Sequence, residues 1–143
     1  MMNRIVMLCG GVLSFGLFYG GLQVRAAQDR PSAKLYSAAQ AKRGADLYQS
    51  RQCGMCHGAN LEGNGPIPAL SGDNFISTHS GQPVAALYDK VQKQMPPTNP
   101  GSLTPAESAD LVAYILSVNK YTAGDAELPA DRDKLSTIQM PRP

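Results

Sequence analysis

The strongest constraint on this chain is a stretch of five residues. Cys53-Gly54-Met55-Cys56-His57 places two cysteines three positions apart and a histidine directly after the second. On one helical turn both thiols project to the same side, where each can add to a vinyl group of one haem. The histidine can then bind the haem iron from that side. The pattern therefore predicts one covalent haem c, attached through Cys53 and Cys56, with His57 as an axial iron ligand.

Other sites that contain a Cys-x-x-Cys pair fit the sequence less well. A thioredoxin-like redox pair follows a strand in a βαβ unit, whereas the residues before Cys53 have a helical pattern. A structural zinc site needs four ligands, and the adjacent Cys56 and His57 are unsuited to binding one ion. A disulfide across two intervening residues would be strained, and it would leave His57 without a role.

The first residues of the chain have the order of a secretory signal. A short basic start is followed by an apolar stretch over residues 5–22 and by small residues at Val24 and Ala26. We predict a signal peptide over residues 1–26, which would direct the protein to the periplasm. The alternative is an uncleaved membrane anchor, because the apolar stretch reaches the lower limit of about 17 residues for spanning a bilayer. No other membrane span is expected.

Charge and composition exclude several classes of function. The net charge is +2 for the whole chain, and residues 27–143 carry as many basic as acidic side chains. No basic block is present to neutralise phosphates, so nucleic-acid binding is not expected. The three cysteines are too few for a disulfide-dense scaffold. Hydrophobic residues make up 43% of the chain, which is enough for a globular domain and more than a disordered chain carries.

Apolar periodicity predicts three main helices. The first covers about residues 38–52, and the second begins at Pro83. The third follows a capping box in which Thr104 precedes Glu107 by three positions, with a proline at the first helical position. Its apolar stripe should end near Asn119. No strand pattern of any weight occurs, so we expect an all-α fold.

Glycine and proline content divides the chain into a domain and flanking segments. Residues 57–72 are rich in both and predict a loop. We expect an N-terminal extension over residues 27–37, one domain over residues 38–119, and an extended C-terminal tail over residues 120–143.

The second axial ligand of the iron is predicted to be Met95. A methionine thioether opposite a histidine gives a six-coordinate iron suited to electron transfer. Met55 lies between the cysteines and cannot reach the other haem face, and Met140 sits beside prolines near the C-terminus. Met95 follows a helical pattern and is fixed by the two prolines after it. His79 is the competing ligand, but its surroundings are loop-like and we expect it at the surface.

Together these features resemble a class I cytochrome c, over residues 38–119. In that family the first and last helices cross at close range, and a glycine and an aromatic residue on one meet a leucine and an aromatic residue on the other. Gly44 and Tyr48 match the first pair, and Leu111 and Tyr114 match the second. The resemblance implies a small fold of three to five helices around one covalently bound haem.

The resemblance also implies contacts around the cofactor. In the family a proline carbonyl in the loop accepts the free N–H of the haem histidine, which would orient the ring of His57. Pro68 fits the family pattern Pro-x-Leu better than Pro66 does, although both are candidates. Leu70 would then pack on the haem.

A finer resemblance concerns residues 95–103 and 123–129. They are similar to the small cytochromes, or cytochrome domains, that accompany periplasmic quinoprotein alcohol dehydrogenases. This resemblance implies an electron carrier between a periplasmic dehydrogenase as donor and an oxidase or another cytochrome as acceptor. The carrier would not itself be an enzyme, and it would dock through an apolar patch that includes Ile67, Pro96 and Pro97.

Two other functions are compatible with a haem chain of this kind. The first is a fixed cytochrome subunit of a larger membrane-bound oxidoreductase complex, which one sequence does not distinguish from a mobile carrier. The second is a haem enzyme or ligand sensor, which needs an open iron face and an acid–base residue beside it. The presence of Met95 argues against the second.

Overall fold

The computed structural model describes residues 33–142. In chain order its elements are β1 (Tyr36–Ser37), α1 (Ala38–Ser50), α2 (Gly54–His57), α3 (Asp73–His79), α4 (Val84–Gln94), α5 (Pro105–Val118), β2 (Ala123–Gly124) and α6 (Arg132–Ser136). The two strands form one short parallel pair, so the all-α prediction is confirmed. The proposed signal peptide, residues 1–26, lies outside the described residues. None of the helices within 33–142 is long and apolar enough to cross a membrane.

The crossing of α1 and α5 forms the centre of the core. A Cβ atom on Gly44 would overlap the backbone carbonyl of Asp110 and crowd the Cβ atom of Tyr114. Only glycine therefore allows the two helices to approach this closely, as the sequence predicts. One turn further along α1, the ring of Tyr48 lies 5.4 Å from that of Tyr114, measured between centroids. Arg43 joins the same helices through two hydrogen bonds of 2.9 Å to the Asp110 carboxylate.

The predicted helix boundaries are close to those observed. The first helix ends at Ser50, two residues before the predicted end, and α4 begins at Val84 with Pro83 as its N-cap. The capping box of α5 forms in full: the hydroxyl of Thr104 accepts from the N–H of Glu107, and the carboxylate of Glu107 accepts from the N–H of Thr104. The apolar stripe of α5 is buried, and it comprises Leu111, Val112, Ile115 and Leu116.

Helix α3 lies where the sequence indicates only loop-like residues. It buries a single large side chain, Phe75, and its other residues are mostly polar, so it gives almost no apolar periodicity. His79 is the last residue of α3 and is half-buried, not an ordinary surface residue. Its ring stacks on Phe75 at a centroid distance of 4.3 Å, and burial lowers its pKa.

The C-terminal segment, residues 120–142, is more ordered than the predicted extended tail. It contains α6 and contributes Leu128, Leu135 and Met140 to the core, each at most 3% exposed. The buried side-chain amide of Gln40 donates to the carbonyl of Leu128 and accepts from its N–H. The three buried apolar residues are spaced seven and five positions apart in a mostly polar segment. They follow neither a helical nor a strand period, which is why the sequence pattern does not indicate this packing.

Candidate functional site

The Cys-x-x-Cys-His motif forms a tight turn directly after α1. Gln52 adopts a left-handed backbone conformation (φ 55°), which reverses the helical twist after α1, so that α2 begins along a different axis. The N–H groups of Cys56 and His57 both donate to the carbonyl of Cys53. Cys53 is half-buried, and burial raises the pKa of its thiol, whereas Cys56 is exposed. The turn therefore presents two free thiols and an imidazole within five residues.

The motif lines a cavity with a volume of about 570 Å³. The cavity brings together five of the six predicted site residues, namely Cys53, Cys56, His57, Leu70 and Met95. Pro68 is the exception, since it is exposed and does not line the cavity. Residues that are 42 positions apart along the sequence, Cys53 and Met95, thus face one space.

His57 carries an unsatisfied nitrogen. Its Nδ1 atom is buried and has no hydrogen-bond partner among the described residues. The backbone around the imidazole is fixed, because the carbonyl of His57 accepts from the N–H of Gly63 at 2.8 Å. Gly63 has φ 79° and lies against the backbone from Ile67 to Ala69, so any side chain there would displace the segment that contains Pro68. The loop that holds Pro68 is therefore packed against the turn that holds His57, without a hydrogen bond to the ring.

Met95 lies at the point where α4 stops. The helix ends at Gln94, and Met95 has an extended backbone (φ −109°, ψ 148°), as expected before a proline. The next residues, Pro96 and Pro97, are exposed and also line the cavity, whereas the side chain of Met95 is half-buried. The other candidates lie elsewhere: neither Met140 nor His79 lines the cavity.

The walls of the cavity are apolar and come from α4, α5 and the loop between them. Val91 of α4 and Leu111 and Ile115 of α5 belong to apolar helix stripes that the sequence did not assign to the site, and Leu103 comes from the loop before α5. Tyr48 closes another side, and its hydroxyl donates to the carbonyl of Gly58 at 2.7 Å. Burial raises the pKa of Tyr48 to about 12, so this hydroxyl stays protonated.

The rim of the cavity is polar. Polar side chains there come from the end of α1 and from the loop after Met95, and they are Arg51, Gln52, Thr98, Asn99 and Ser102. Arg51 forms a salt bridge with Glu107, so its charge is compensated within the protein. Two hydrogen bonds from Thr104 and one from Arg51 lower the pKa of Glu107. The spacing of Arg51 and Glu107 in the sequence gives no signal for this pair.

These residues fit a haem better than they fit a metal ion alone. The volume lies within the range of about 300–1,000 Å³ that is typical of cofactor pockets. Two thiols, an imidazole and a thioether face one apolar space, and the buried Nδ1 of His57 still needs an acceptor. Within residues 33–142 no group of three or more His, Cys, Asp or Glu side chains could hold a metal ion, so the zinc alternative has no ligand set there.

Comparisons with known proteins agree with this fit. Residues 39–115 match the model of the family described as cytochrome c oxidase, cbb3-type, subunit III. Among solved structures, the sulfane dehydrogenase SoxCD from Paracoccus pantotrophus is similar, with a TM-score of 0.53 and 22% sequence identity. This match covers 71% of the present chain and 53% of that chain, and at this identity it supports the fold alone. No curated protein matches the sequence.

The family match spans more than half of the chain and includes every element from α1 to most of α5. Its range contains Cys53, Cys56, His57 and Met95, the residues that converge on the cavity. A cytochrome c domain binds haem c and takes part in electron transfer. The chain therefore belongs to the family of class I c-type cytochromes that this model describes.

Proposed function

We propose that the protein is a periplasmic monohaem cytochrome that carries single electrons between a dehydrogenase and a downstream acceptor. The observation that carries the proposal is the convergence of Cys53, Cys56, His57 and Met95 on one apolar cavity. In the proposal Cys53 and Cys56 would hold one haem covalently, and His57 and Met95 would be the ligands of its iron. The haem supplies an iron centre that gains and loses one electron.

The remaining residues of the cavity orient the ligands and exclude water. Leu70 and the apolar walls from α4 and α5 line the cavity with side chains that can neither donate nor accept a proton. The buried Nδ1 of His57 needs an acceptor, and we assign this role to the carbonyl of Pro68 in the haem-loaded protein. With His57 and Met95 as ligands, the iron would offer no open site to small ligands and substrates, which favours a carrier over a haem enzyme or sensor.

Exposed apolar side chains among the polar residues of the rim support docking to a protein partner. Met55 is 74% exposed, and Pro96 and Pro97, which line the same cavity, are exposed as well. Ile67 is half-buried and does not line the cavity, so we assign it a smaller part in docking than the two prolines. We propose a quinoprotein alcohol dehydrogenase as donor, and an oxidase or another cytochrome as acceptor.

A fixed subunit of a larger oxidoreductase is the second candidate. Its support is the description of the matched family as an oxidase subunit. Purification at natural abundance distinguishes the two: a carrier leaves a gel-filtration column alone, and a subunit leaves with a large oxidoreductase. An N-terminus at Ala27 in the purified protein, read by mass spectrometry, is expected for a cleaved signal peptide.

Haem attachment tests the proposal directly. Produced in a host that attaches haem c, the protein should carry one haem per chain that stays bound in acidified organic solvent, and the mass should increase by one haem. Replacing Cys53 and Cys56 together by alanine should abolish attachment. Replacing Cys9, which lies in the proposed signal peptide, should leave attachment unchanged. Haem that is extracted by the solvent from the unaltered protein would contradict the covalent site.

A further inference from the structure

We propose that the C-terminal segment is a positioning element that holds Met95 in place through α4. This proposal rests on the proposed function, in which Met95 binds the haem iron. An iron–thioether bond requires the sulfur to be held within about 0.5 Å of its productive position. Met95 directly follows the last residue of α4, so any shift of α4 along or about its axis moves it.

The start of α4 depends on the C-terminal segment. The N-cap residue Pro83 makes no side-chain capping bond, so the first N–H groups of α4 need partners elsewhere. The N–H of Val84 donates to the carbonyl of Ile138 at 2.8 Å. Immediately before the helix, Gln82 accepts from the N–H of Met140 at 3.0 Å. The C-terminal segment therefore supplies an acceptor for the first N–H of α4 and a second bond to the residue before its N-cap.

The body of α4 is held by the same segment. Helix α6 packs against α4, and Leu135 at its centre is fully buried. The hydroxyl of Tyr88 on α4 donates to the carbonyl of Ala130 at 3.2 Å. Asp89, also on α4, pairs with Arg132 of α6 at 3.2 Å. These contacts add to the packing of α4 against α5, and they restrict both the rotation of α4 and its shift along the axis.

The other end of the C-terminal segment is anchored on α1. The hydroxyl of Tyr36 donates to the carbonyl of Tyr121 at 2.6 Å, and Gln40 pairs with the backbone of Leu128. Residues 120–128 are thus fixed to β1 and the first helix, and residues 130–140 are fixed to α4. The segment offers matched variants that disturb one anchor and not the other.

The test measures the affinity of the oxidised, haem-loaded protein for imidazole, which can bind the iron only when Met95 has left it. Because apparent affinity scales with the population of the open state, Leu135→Ala is expected to raise it about tenfold. Leu128→Ala removes a leucine that is just as buried but lies at the α1 anchor, and it should change the affinity by less than about twofold. Equal effects of the two variants would reflect general loosening and would overturn the proposal.

Met95→Ala separates this proposal from the proposed function. If Met95 is the ligand, this variant raises imidazole affinity the most, and adding Leu135→Ala to it has no further effect. If Met95→Ala has no effect, the ligand assignment fails and the positioning role fails with it. If Met95→Ala raises the affinity and Leu135→Ala does not, only the positioning role fails.

A milder pair of variants covers the case in which Leu135→Ala does not fold. Tyr88→Phe removes the hydroxyl that donates to Ala130 of the C-terminal segment at 3.2 Å and, at the longer distance of 3.5 Å, to Pro105 of α5. Tyr36→Phe removes one hydrogen bond from β1 to the same segment. Tyr88→Phe should raise imidazole affinity about twofold to fivefold, in line with the net value of one hydrogen bond. Tyr36→Phe should leave it unchanged, and the opposite order would overturn the proposal.

Discussion

Met95 and Met140 have the same side chain in opposite environments. Met95 is half-buried and faces the cavity, whereas Met140 is 1% exposed within the core and its backbone N–H donates to Gln82. A polarizable thioether can serve either as ligand or as core filler, so its surroundings decide which role it has. The two residues therefore form a natural matched pair for mutation.

Met95→Ala is expected to lower the reduction potential and remove the sulfur-to-iron absorption band, because a thioether ligand favours the reduced iron. Met140→Ala should instead lower the free energy of unfolding by about 2–5 kcal/mol and keep the sulfur-to-iron absorption band, because the ligand itself is still present. Redox titration and denaturant unfolding of both variants provide the measurement. A spectral change in Met140→Ala alone would contradict the assignment of Met95.

The absence of a side chain at Gly44 allows α1 and α5 to cross at close range in the core. Gly44→Ala places a Cβ atom on the backbone of Asp110, and it should cost about 1–3 kcal/mol or more in the free energy of unfolding. Gly54 is the matched control, because a Cβ atom there would meet Tyr48 at an ordinary 3.5 Å. Gly54→Ala should therefore change stability by less than about 0.5 kcal/mol. Denaturant unfolding of the two variants compares them directly, and equal losses would mean that the close helix approach is not what Gly44 provides.

At the scale of the element, Glu107 at the start of α5 takes part both in the helix cap and in a salt bridge at the rim of the cavity. Glu107 accepts hydrogen bonds from Thr104 and from Arg51, and these bonds lower its pKa below the ordinary value of 4.5. A lowered carboxyl pKa stabilises the folded protein above the ordinary pKa, and this stabilisation is lost as the pH falls through the lowered value.

Glu107→Gln is therefore expected to reduce the free energy of unfolding by about 0.5–1 kcal/mol at pH 7. The difference from the unaltered protein should shrink as the pH falls from 4.5 through the lowered pKa of Glu107, because the carboxyl group is protonated first in the unfolded and then in the folded protein. Denaturant unfolding at a series of pH values measures this. Asp46→Asn, which removes a 65% exposed carboxylate paired with Lys42, is the control and should show little change at pH 7. A difference between unaltered and Glu107→Gln protein that does not depend on pH would contradict the role of the carboxylate.

The elements that could be predicted are those with a strong local signal. The capping box at Thr104, the proline at Pro83 and the apolar stripes of α1 and α5 fix three helices within a few residues. Helix α3 could not be predicted, because one buried phenylalanine gives no period. The packing of the C-terminal segment depends on single long-range contacts such as the one between Gln40 and Leu128, and no local pattern indicates these.

The candidate site likewise combines residues that a local sequence pattern predicts with contacts that no local pattern indicates. The Cys-x-x-Cys-His motif and Met95 were predicted from spacing and from the prolines that follow, and the cavity brings them together. The salt bridge between Arg51 and Glu107 could not be predicted, because it arises from the crossing of α1 and α5. The predicted bond from His57 to Pro68 stays a prediction, since Nδ1 has no partner among the described residues.

At the scale of the whole molecule, charge should contribute little to docking. Residues 27–143 carry equal numbers of basic and acidic side chains, and Arg51 at the cavity rim is paired with Glu107. Electron transfer from a quinoprotein alcohol dehydrogenase should therefore change only modestly with ionic strength. Met55→Glu or Pro97→Glu should slow it more than neutralising Lys90 or Lys93 does.

The control for docking is a charge placed far from the rim. Ala39→Glu adds the same charge to the exposed start of α1, and stopped-flow kinetics should show no change in its rate of electron transfer. A steep fall in rate with added salt, or a loss confined to the lysine variants, would indicate electrostatic docking. Rapid reduction by a different periplasmic donor, with none by the quinoprotein enzyme, would overturn the partner and leave the carrier role.

The long-range contacts of the core also determine the order in which parts of the chain fold. Arg43 and Asp110 are 67 positions apart, Tyr36 and Tyr121 are 85 apart, and Gln40 and Leu128 are 88 apart. Contacts over such separations close large loops, and they form late relative to single helices. The first helix therefore lacks its packing partners until residues 110–128 have folded onto it. During that interval the turn containing Cys53 and Cys56 belongs to an open chain, and the thiol of Cys53, which is half-buried in the folded protein, is as accessible for reaction as that of Cys56.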